Sequence, residues 1–523
     1  MRPKHWSACA VLAGLATFAA ACGGDDSSAS SDGNLIDRNV ESAVKSGASS
    51  GAPAPEKEPT TMEEWETLWK SQREAIVARI EQNHWGLQPD GKTVLGPDGF
   101  TVDLSKCPAG WSNTEGLSDT EVKLGSAAPS SGTAATGVYI NQAASVMMDH
   151  YADEGMITDS LGKSRRVNQI IKDDGYDPAR TIPIVDELID SEKVFDVMTQ
   201  GSPGTLKTYD KLNQRCIPHF FNITGHPAWG DPVNHPWSTG FLFSYNIEAL
   251  MWGDFISQHL SEFPDGKVTI AALVMNNDFG RVYDQAFKAY LAQSPDAAKM
   301  TYITETIEPQ AATVTDPMTT LAAKHPDVFI GMLTATPCAQ IVTEAAQNGM
   351  KEETKYKLFS VGCKSSTFVG KAAVGDASDG WWVVGGGLRD LPSPAEDGNV
   401  YSEWARGLLT AAGYDYKSSG YWGWGMALGW ARAQLLMVAG ALDGGLTRAN
   451  FLTAMRSMDM TPAGYYPGIK ANMSGNRDAF WIEGSELGRY DTSKQQFVQQ
   501  GDVIDLSGQA KPCAWNQATS TCG

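Results

Sequence analysis

Two hydroxyl side chains, Ser202 and Thr205, lie in the short run Gly201–Thr205, whose glycines and proline favour the start of a helix. Exposed N–H groups at a helix start, together with hydroxyls, can hold a carboxylate or an amide by hydrogen bonds. Ser202 can equally act as the N-cap of its own helix. Both interpretations stay open, since capping does not exclude contact with a ligand.

The residue combinations that enzymes use are missing from the sequence. There is no H-E-x-x-H zinc motif, no phosphate-binding P-loop, no C-x-x-C pair, and no nucleophile elbow in which G-x-S-x-G joins a strand to a helix. His219, His226 and His235 fall within one stretch, but their spacing matches no standard metal site. Asp173 and Asp174 are adjacent, so in an extended segment their side chains point in opposite directions. We therefore expect no enzyme activity, no metal ion and no cofactor.

From about residue 119 onward, short apolar runs alternate with amphipathic segments. The strand candidates are Val122–Ser126, Val167–Lys172, Val194–Met198, His219–Asn222, Val268–Met275, Val328–Leu333, Leu358–Gly362 and Trp381–Gly385. The helix candidates between them are Gly137–Glu154, Pro178–Ser191, Gly204–Arg215, Asn246–Ser261, Arg281–Ala292 and Cys338–Asn348. This alternation predicts an α/β fold of parallel sheets with helices on both faces. It runs once before about residue 245 and again after it, which indicates two similar lobes with a cleft between them.

The length and the net charge of the chain limit which classes of fold and function are possible. The chain has 523 residues, 42% of them hydrophobic, which is ample for sizeable cores. Its formal net charge is −20 at pH 7. Because binding to nucleic-acid phosphates needs clustered Lys and Arg, general nucleic-acid binding is not expected.

The N-terminus has the features of an export signal. Arg2 and Lys4 precede a short apolar run, Ala8–Ala21, which is too short to span a membrane. Three alanines then stand before Cys22, an arrangement that resembles the lipobox of bacterial lipoproteins, whose cysteine becomes lipid-modified. From Gly23 to Pro55 no residue is aromatic, so this segment is expected to be a flexible tether. An ordinary signal peptide with an incidental Cys22 is the alternative.

Several motifs in the predicted lobes resemble one family. They are Val122–Gly125, Asp173–Pro178, Val194–Phe195 before Gly201–Thr205, Ile217–Pro218 before Thr224–Gly225, His235–Trp237 before Tyr245, and Asn277–Gly280. Together they resemble the type I periplasmic binding fold, in its branched-chain amino-acid-type subgroup of ABC transporter substrate-binding proteins. The resemblance covers about residues 120–500. It implies two doubly wound parallel-sheet lobes, joined by a multi-strand hinge, that close on a solute.

The loops after the predicted strands hold the residues expected to bind the ligand, and for Thr224 the resemblance implies the same role. In the first lobe they are Ser202, Thr205, Thr224, Gly225, His226 and Trp229, and in the second Asn277, Phe279, Thr336 and Lys364. For His226 a solvent-facing loop position, and for Trp229 core packing, are alternatives. The subgroup usually places an acidic residue near Lys364 for the ammonium of an amino acid, and none occurs from Phe359 to Phe368. An anionic or amide-type ligand without an ammonium group is therefore a reasonable alternative to an amino acid.

Six cysteines remain after Cys9 and Cys22, an even number that suits an oxidising compartment. Six cysteines allow about 15 pairings. If the second sheet has the family's strand order, Cys338 and Cys363 lie on neighbouring loops and can form a disulfide. Cys513 and Cys522 could close a small C-terminal loop.

Two aromatic segments leave alternatives open. Trp65, Leu68 and Trp69 recur at helical spacing in the candidate helix Thr61–Trp85, which indicates core packing more than a carbohydrate platform. The helix that begins at Tyr421-Trp422-Gly423-Trp424 is expected to be a core helix, with an aromatic ligand platform as the alternative.

We expect the following organisation: signal peptide 1–21, tether 22–55, accessory segment 56–118, first lobe 119–245 and 391–460, second lobe 246–390, and a return to the second lobe with a C-terminal tail at 461–523. The expected function is that of an extracytoplasmic lipoprotein that captures an amino acid, amide or carboxylate for an ABC permease. A receptor that signals to a membrane partner, or a surface carbohydrate binder, is the alternative.

Overall fold

The computed structural model describes residues 35–46 and 58–523. The expected signal peptide, Cys22 and most of the expected tether lie outside these residues. Helix α1 (Arg38–Ser46) falls within the expected tether, yet its Val40 and Ala43 are buried. The Leu35 carbonyl accepts a hydrogen bond of 2.8 Å from Asn246 Nδ2. A flexible tether therefore does not describe residues 35–46, because their apolar side chains cover a neighbouring surface.

The accessory segment contains one long helix and a small antiparallel sheet. Helix α2 (Met62–Gln82) lies within the candidate helix Thr61–Trp85, and the Thr61 hydroxyl caps its start by accepting from Glu64 N at 3.2 Å. Trp69 is fully buried, its ring 5.3 Å from that of Trp430, so the Trp spacing does mark core packing. The sheet has three strands, β1 (Gly86–Leu87), β2 (Thr93–Leu95) and β3 (Thr101–Asp103), and the Pro-Asp-Gly turns Pro89–Gly91 and Pro97–Gly99 lie between successive strands.

The first lobe is built on parallel strands. Its elements are β4 (Glu121–Ala128), α3 (Val138–Asp153), β5 (Arg166–Asp173), α4 (Pro178–Asp190), β6 (Asp196–Thr199), α5 (Ser202–Gln214), β7 (His219–Asn222) and β8 (Ser238–Gly240). The strand order is β5-β4-β6, and β7 pairs in parallel with β8. A parallel bridge between Gln200 and Ile223 joins β6 to β7 just beyond their carboxyl ends.

The second lobe contains a seven-stranded sheet. Its first elements are α6 (Tyr245–Gln258), β9 (Val268–Met275), α7 (Asp278–Gln293), β10 (Met300–Ile307), α8 (Thr315–Ala322), β11 (Val328–Met332), α9 (Thr336–Gln347), α10 (Met350–Glu353), β12 (Tyr356–Phe359), α11 (Ser366–Val369), α12 (Lys371–Val374) and β13 (Trp382–Val384). The strand order is β10-β9-β11-β12-β13, followed by two later strands. The first of these runs antiparallel to β13, and the second runs antiparallel to the first. The predicted doubly wound sheets are confirmed, with this antiparallel addition to the second.

The chain then returns to the first lobe and crosses back once more. The returning elements are α13 (Val400–Ala411), α14 (Tyr421–Ala441), α15 (Arg448–Met455), β14 (Asp459–Met460) and β15 (Ala471–Asn472), and the two antiparallel strands of the second sheet are β16 (Gly484–Asp491) and β17 (Gln496–Asp505). A final hairpin consists of β18 (Trp515–Asn516) and β19 (Thr521–Cys522). The crossing segments bond to one another: Gly386 N donates to Ser485 Oγ at 2.9 Å, and Tyr466 N to the Gly387 carbonyl at 2.8 Å.

Helix α14 forms the centre of the first lobe, and its glycines have a packing role. A Cβ on Gly425 would lie 2.3 Å from the Ile140 carbonyl oxygen of α3. Only glycine therefore lets the two helix backbones approach this closely. The close approach fixes where the start of α14, with Tyr421 and Trp424, meets the cleft.

The described residues form three disulfides. Cys338 bonds to Cys363 and Cys513 to Cys522, the two pairings expected, and Cys107 bonds to Cys216. The third ties the accessory segment to the first lobe. Among the described residues, no helix combines the length and the apolar character needed to cross a membrane.

Candidate functional site

A small cavity of about 40 Å³ lies between the two lobes, at the carboxyl ends of their strands. This is the edge at which open parallel sheets bind ligands. The loop after each of four strands contributes to its wall, through Gly201, Ile223, Ala335 and Gly362. The cavity therefore lies where the strand–helix alternation predicted.

Five aromatic side chains contribute to the cavity wall. They are Tyr176, Tyr245, Phe279, Tyr421 and Trp424. Gly201 has a positive φ of 87°, and a Cβ there would lie 2.2 Å from the Tyr176 ring, so a glycine is needed to bring this ring against the loop.

The cavity wall is uncharged and mainly apolar, with a few polar groups. Burial raises the pKa of Tyr176 and Tyr245 and takes that of Tyr421 to about 12, so these hydroxyls remain neutral. Gln200 Oε1 accepts from Asn141 Nδ2 at 3.1 Å, which leaves the Gln200 amide N–H₂ as a donor at the wall. None of the described residues that line this cavity is an Asp, Glu, Lys, Arg or His.

The two lobes touch directly across the cleft. Tyr421 Oη of the first lobe lies 3.2 Å from Thr334 Oγ1 of the second. Thr133 Oγ1 donates to the Pro309 carbonyl at 2.8 Å, and the Thr133 carbonyl accepts from Thr336 Oγ1 at 3.0 Å. These bonds define a closed arrangement, in which a solute larger than a few water molecules has to enter with the lobes apart.

The residues predicted for the first lobe occupy the correct loops, but their side chains do not line the cavity. Ser202 Oγ and Thr224 Oγ1 are buried and lie 2.8 Å apart, joining the start of α5 to the loop after β7. Thr205 Oγ1 donates to the Gly201 carbonyl at 2.8 Å. A Cβ on Gly225 would lie 2.0 Å from the Phe243 carbonyl oxygen, so Gly225 packs against the segment that leads to α6.

His226 and Trp229 also belong to the interior of the lobe. His226 Nδ1 accepts from Ala228 N at 3.2 Å and caps a short 3₁₀ turn, and its ring packs on Trp515. Burial lowers the pKa of His226 to about 3, so it is neutral. Trp229 is 1% exposed and contacts Tyr209. The loop turns both side chains inward, so they pack in the interior of the lobe and do not line the cavity.

In the second lobe, Phe279 lines the cavity as predicted. Asn277 caps α7 through Oδ1, which accepts from Phe279 N at 3.1 Å. Thr336 uses its hydroxyl for the bond to Thr133 across the cleft. Lys364 is buried in an ion pair with Glu486 and donates to the Leu388 carbonyl at 2.6 Å, so its charge fastens the hinge and does not face the cavity.

Sequence reasoning missed Tyr176, Tyr245, Tyr421, Trp424 and Gln200 as cavity residues. Signals for most of them existed. Tyr176 and Tyr245 stand in motifs that carry the family resemblance, and the aromatic start of α14 was weighed but assigned to the core. Trp424 belongs both to the core and to the cavity wall, since it is only 4% exposed and lines the cavity.

No group of three or more His, Cys, Asp or Glu side chains able to hold a metal ion occurs in the described part of the chain.

Two α/β lobes with a cleft at their strand ends define the type I periplasmic binding fold, and the comparisons with known proteins agree. The profile described as "Periplasmic binding protein" matches residues 121–482. The chain therefore belongs to the periplasmic binding protein family. No curated protein sequence matches it.

Solved structures share the fold at low sequence identity. A branched chain amino acid ABC transporter protein from Thermus thermophilus with bound valine is 16% identical, covers 74% of this chain and 97% of its own, and has a TM-score of 0.61. A fatty acid ABC transporter substrate-binding protein from Thermomonospora curvata is 17% identical over 76% and 96% of the two chains, with a TM-score of 0.59. A solute binding protein from Rhodopseudomonas palustris in complex with 3,4-dihydroxy benzoic acid is 16% identical over 75% and 98%, also with a TM-score of 0.59.

Proposed function

We propose that this protein is an extracytoplasmic, lipid-anchored solute receptor that captures a small organic molecule between its lobes and delivers it to an ABC importer. The observation that carries the proposal is the uncharged, aromatic-walled cavity at the strand ends of both lobes. Closure stabilised by a ligand that touches both halves is the established way in which two-lobed proteins bind solutes.

The chemistry of the wall favours a flat ligand with hydrogen-bond acceptors, such as a carboxylate or an amide, over an α-amino acid. Hydroxyl and amide donors from Tyr176, Tyr421 and Gln200 face such acceptors, and the starts of α5 and α9 add backbone N–H groups. An ammonium group would enter a cavity without a carboxylate to pair with it, whereas the O–H and N–H donors of the wall can hydrogen-bond to a carboxylate or an amide oxygen. Structural relatives that contain valine and 3,4-dihydroxy benzoic acid show that the fold accommodates both chemistries.

Thermal shift and native mass spectrometry of the mature protein, purified without refolding, test this proposal. Benzoate, benzamide and related aromatic acids should raise the Tm, whereas glycine, alanine and valine should not. Trp424→Leu should reduce the shift, while Trp422→Leu in the same helix turn should preserve it, because Trp422 packs on Tyr139 and does not line the cavity. Absence of any shift across amino acids, amides and carboxylates would refute solute capture.

The lipid anchor has its own test. Cys22→Ser should move the protein from the membrane fraction to the soluble fraction when it is expressed in a bacterium with lipoprotein processing. A membrane-bound Cys22→Ser protein would contradict the anchor and leave solute binding untouched. The carbohydrate alternative loses its expected platform, since Trp65 and Trp69 are buried.

A further inference from the structure

A second and larger cavity, of about 310 Å³, lies outside the cleft. Four separate parts of the chain enclose it: the end of α2 and the turn after it, with Arg79 and Trp85; the turn between β2 and β3, with Pro97; the β14–β15 region, with Ser457 and Asp478; and the loop at Ser507. Its size is at the lower end of the range of small-molecule sites, which is about 300–1,000 Å³. The family fold does not need this cavity, because the accessory segment forms one of its walls.

Two buried oxygen atoms in its wall lack a hydrogen-bond donor. Ser457 is 1% exposed, and its Oγ has no partner among the described residues. Asp478 is 3% exposed, and its Oδ2 accepts from Asn472 Nδ2 at 2.6 Å. Asp478 Oδ1 has no donor apart from a proton that it can share with the neighbouring Glu483. Both oxygens are closed off from the open space, so the hydrogen-bonding groups that a ligand can reach are the more exposed side chains of the wall, among them Lys470, Asn472 and Ser474.

The charges around the cavity are nearly balanced. Arg79 Nη1 lies 3.4 Å from Asp459 Oδ2, and Arg477 Nε lies 3.3 Å from the carboxylate of Asp98. Lys470 also lines the cavity and makes no ion pair with a described residue. The carboxylates would repel an anion, and the three basic groups would repel a cation. The wall therefore favours an uncharged ligand.

We propose that this cavity is a second binding site, for a neutral polyhydroxylated molecule such as a mono- or disaccharide. Each sugar hydroxyl both donates and accepts a hydrogen bond, which suits a wall of mixed guanidinium, amide, carboxylate and hydroxyl groups. The half-buried indole of Trp85 supplies an apolar face against which the C–H side of a sugar ring can pack. This site is independent of the cleft and of the function proposed for it.

Saturation-transfer NMR on the mature protein tests the proposal, with glucose, N-acetylglucosamine and trehalose as probes. At least one of these should receive saturation, and Trp85→Leu should weaken its binding about tenfold, as is typical of an aromatic anchor. Arg477→Ala should also weaken it and leave the fold intact, because the side chain is 68% exposed. Trp382→Leu is the matched control, as Trp382 is a partly buried tryptophan on the distant strand β13.

The outcomes separate the two sites. Loss of the sugar signal in Trp85→Leu with its retention in Tyr421→Ala supports a second site. The reverse pattern would place the sugar in the cleft and overturn the proposal. It is also overturned if no probe sugar receives saturation, or if inorganic phosphate competes the sugar away, since the wall would then select for anions.

Discussion

Single side chains at the cleft divide into those that hold a loop and those that face the cavity. Ser202, Thr205 and Thr224 satisfy one another or the backbone, so their hydroxyls are already used by the protein. Tyr421 differs, because its hydroxyl reaches across the cleft to Thr334 and its ring remains at the cavity. We expect such residues to couple ligand binding to closure.

Tyr421→Phe should weaken binding of the ligand that gives the largest thermal shift. It removes one hydrogen bond between the lobes, worth about 1 kcal/mol, which corresponds to about fivefold in Kd. Isothermal titration calorimetry measures the change. Tyr414→Phe is the control, because Tyr414 packs on Trp422 away from the cavity. Equal affinities for parent and Tyr421→Phe would show that the hydroxyl has no role in closure.

His226 should make the protein less stable in acid. Burial lowers the pKa of His226 in the folded state from 6.5 to about 3. Between pH 6.5 and about pH 3, His226 is therefore protonated in the unfolded state and neutral in the folded state. Stability therefore falls as the pH drops from about 6.5 towards 3, by up to about 1.4 kcal/mol per pH unit for one group.

His226→Asn removes this titration while retaining an acceptor for Ala228 N. The Tm of the variant, followed by circular dichroism, should decline less steeply with falling pH than that of the parent. His325→Asn is the control and should keep the parental slope, because the His325 side chain is 77% exposed. Parallel slopes for the His226 variant and the parent would contradict the burial argument.

At the scale of elements, a disulfide braces the second lobe's side of the cavity. Cys338 lies in the first turn of α9, and Cys363 ends the turn after β12. The cavity residues Thr334 and Gly362 lie directly beside these two positions. The bond thus fixes two loops whose spacing sets the shape of the cavity.

Removing this bridge with Cys338→Ser and Cys363→Ser should lower both stability and affinity. Loss of a cross-link of this length costs about 3 kcal/mol in unfolding free energy. Loosened loops should also weaken ligand binding in calorimetry. The paired control, Cys513→Ser with Cys522→Ser, should leave affinity unchanged, as that bridge lies in the C-terminal hairpin. Equal losses of affinity in both double variants would argue against a local role.

Most of the secondary structure followed from local patterns. Every predicted strand and helix of the two lobes occurs, with ends that differ by a few residues. Strand β10 and the hairpin β16–β17 were missed. Their residues alternate with polar side chains and lie at the ends of the seven-stranded sheet, where one side of the strand is less covered, so the apolar signal is weak.

At the scale of the whole molecule, closure depends on a few direct contacts. Thr133 bonds to Pro309 and to Thr336, and Gln310 Nε2 donates to the Gly175 carbonyl at 3.3 Å. These contacts stabilise the closed state together with any ligand between the lobes. Weakening them should shift the population towards open molecules.

Thr133→Val should therefore increase the radius of gyration of the ligand-free protein in small-angle X-ray scattering, and saturating ligand should restore the compact value. Thr343→Val is the control, since Thr343 bonds within its own helix α9. An unchanged radius in Thr133→Val, with or without ligand, would indicate that the hinge alone holds the lobes together.

The sequence by itself determined the two α/β lobes and the loops at their strand ends, because apolar periodicity and turn residues act over a few neighbours. The tertiary structure decided which side chain of each loop faces the cavity. Gly201 and Ile223 line it while their neighbours Ser202 and Thr224 turn inward, since the direction of a loop side chain depends on what packs behind it. It also brought Tyr421 and Trp424 to the cleft from a distant part of the chain. Only the crossings of the hinge and the close packing of α14 on α3 create that proximity.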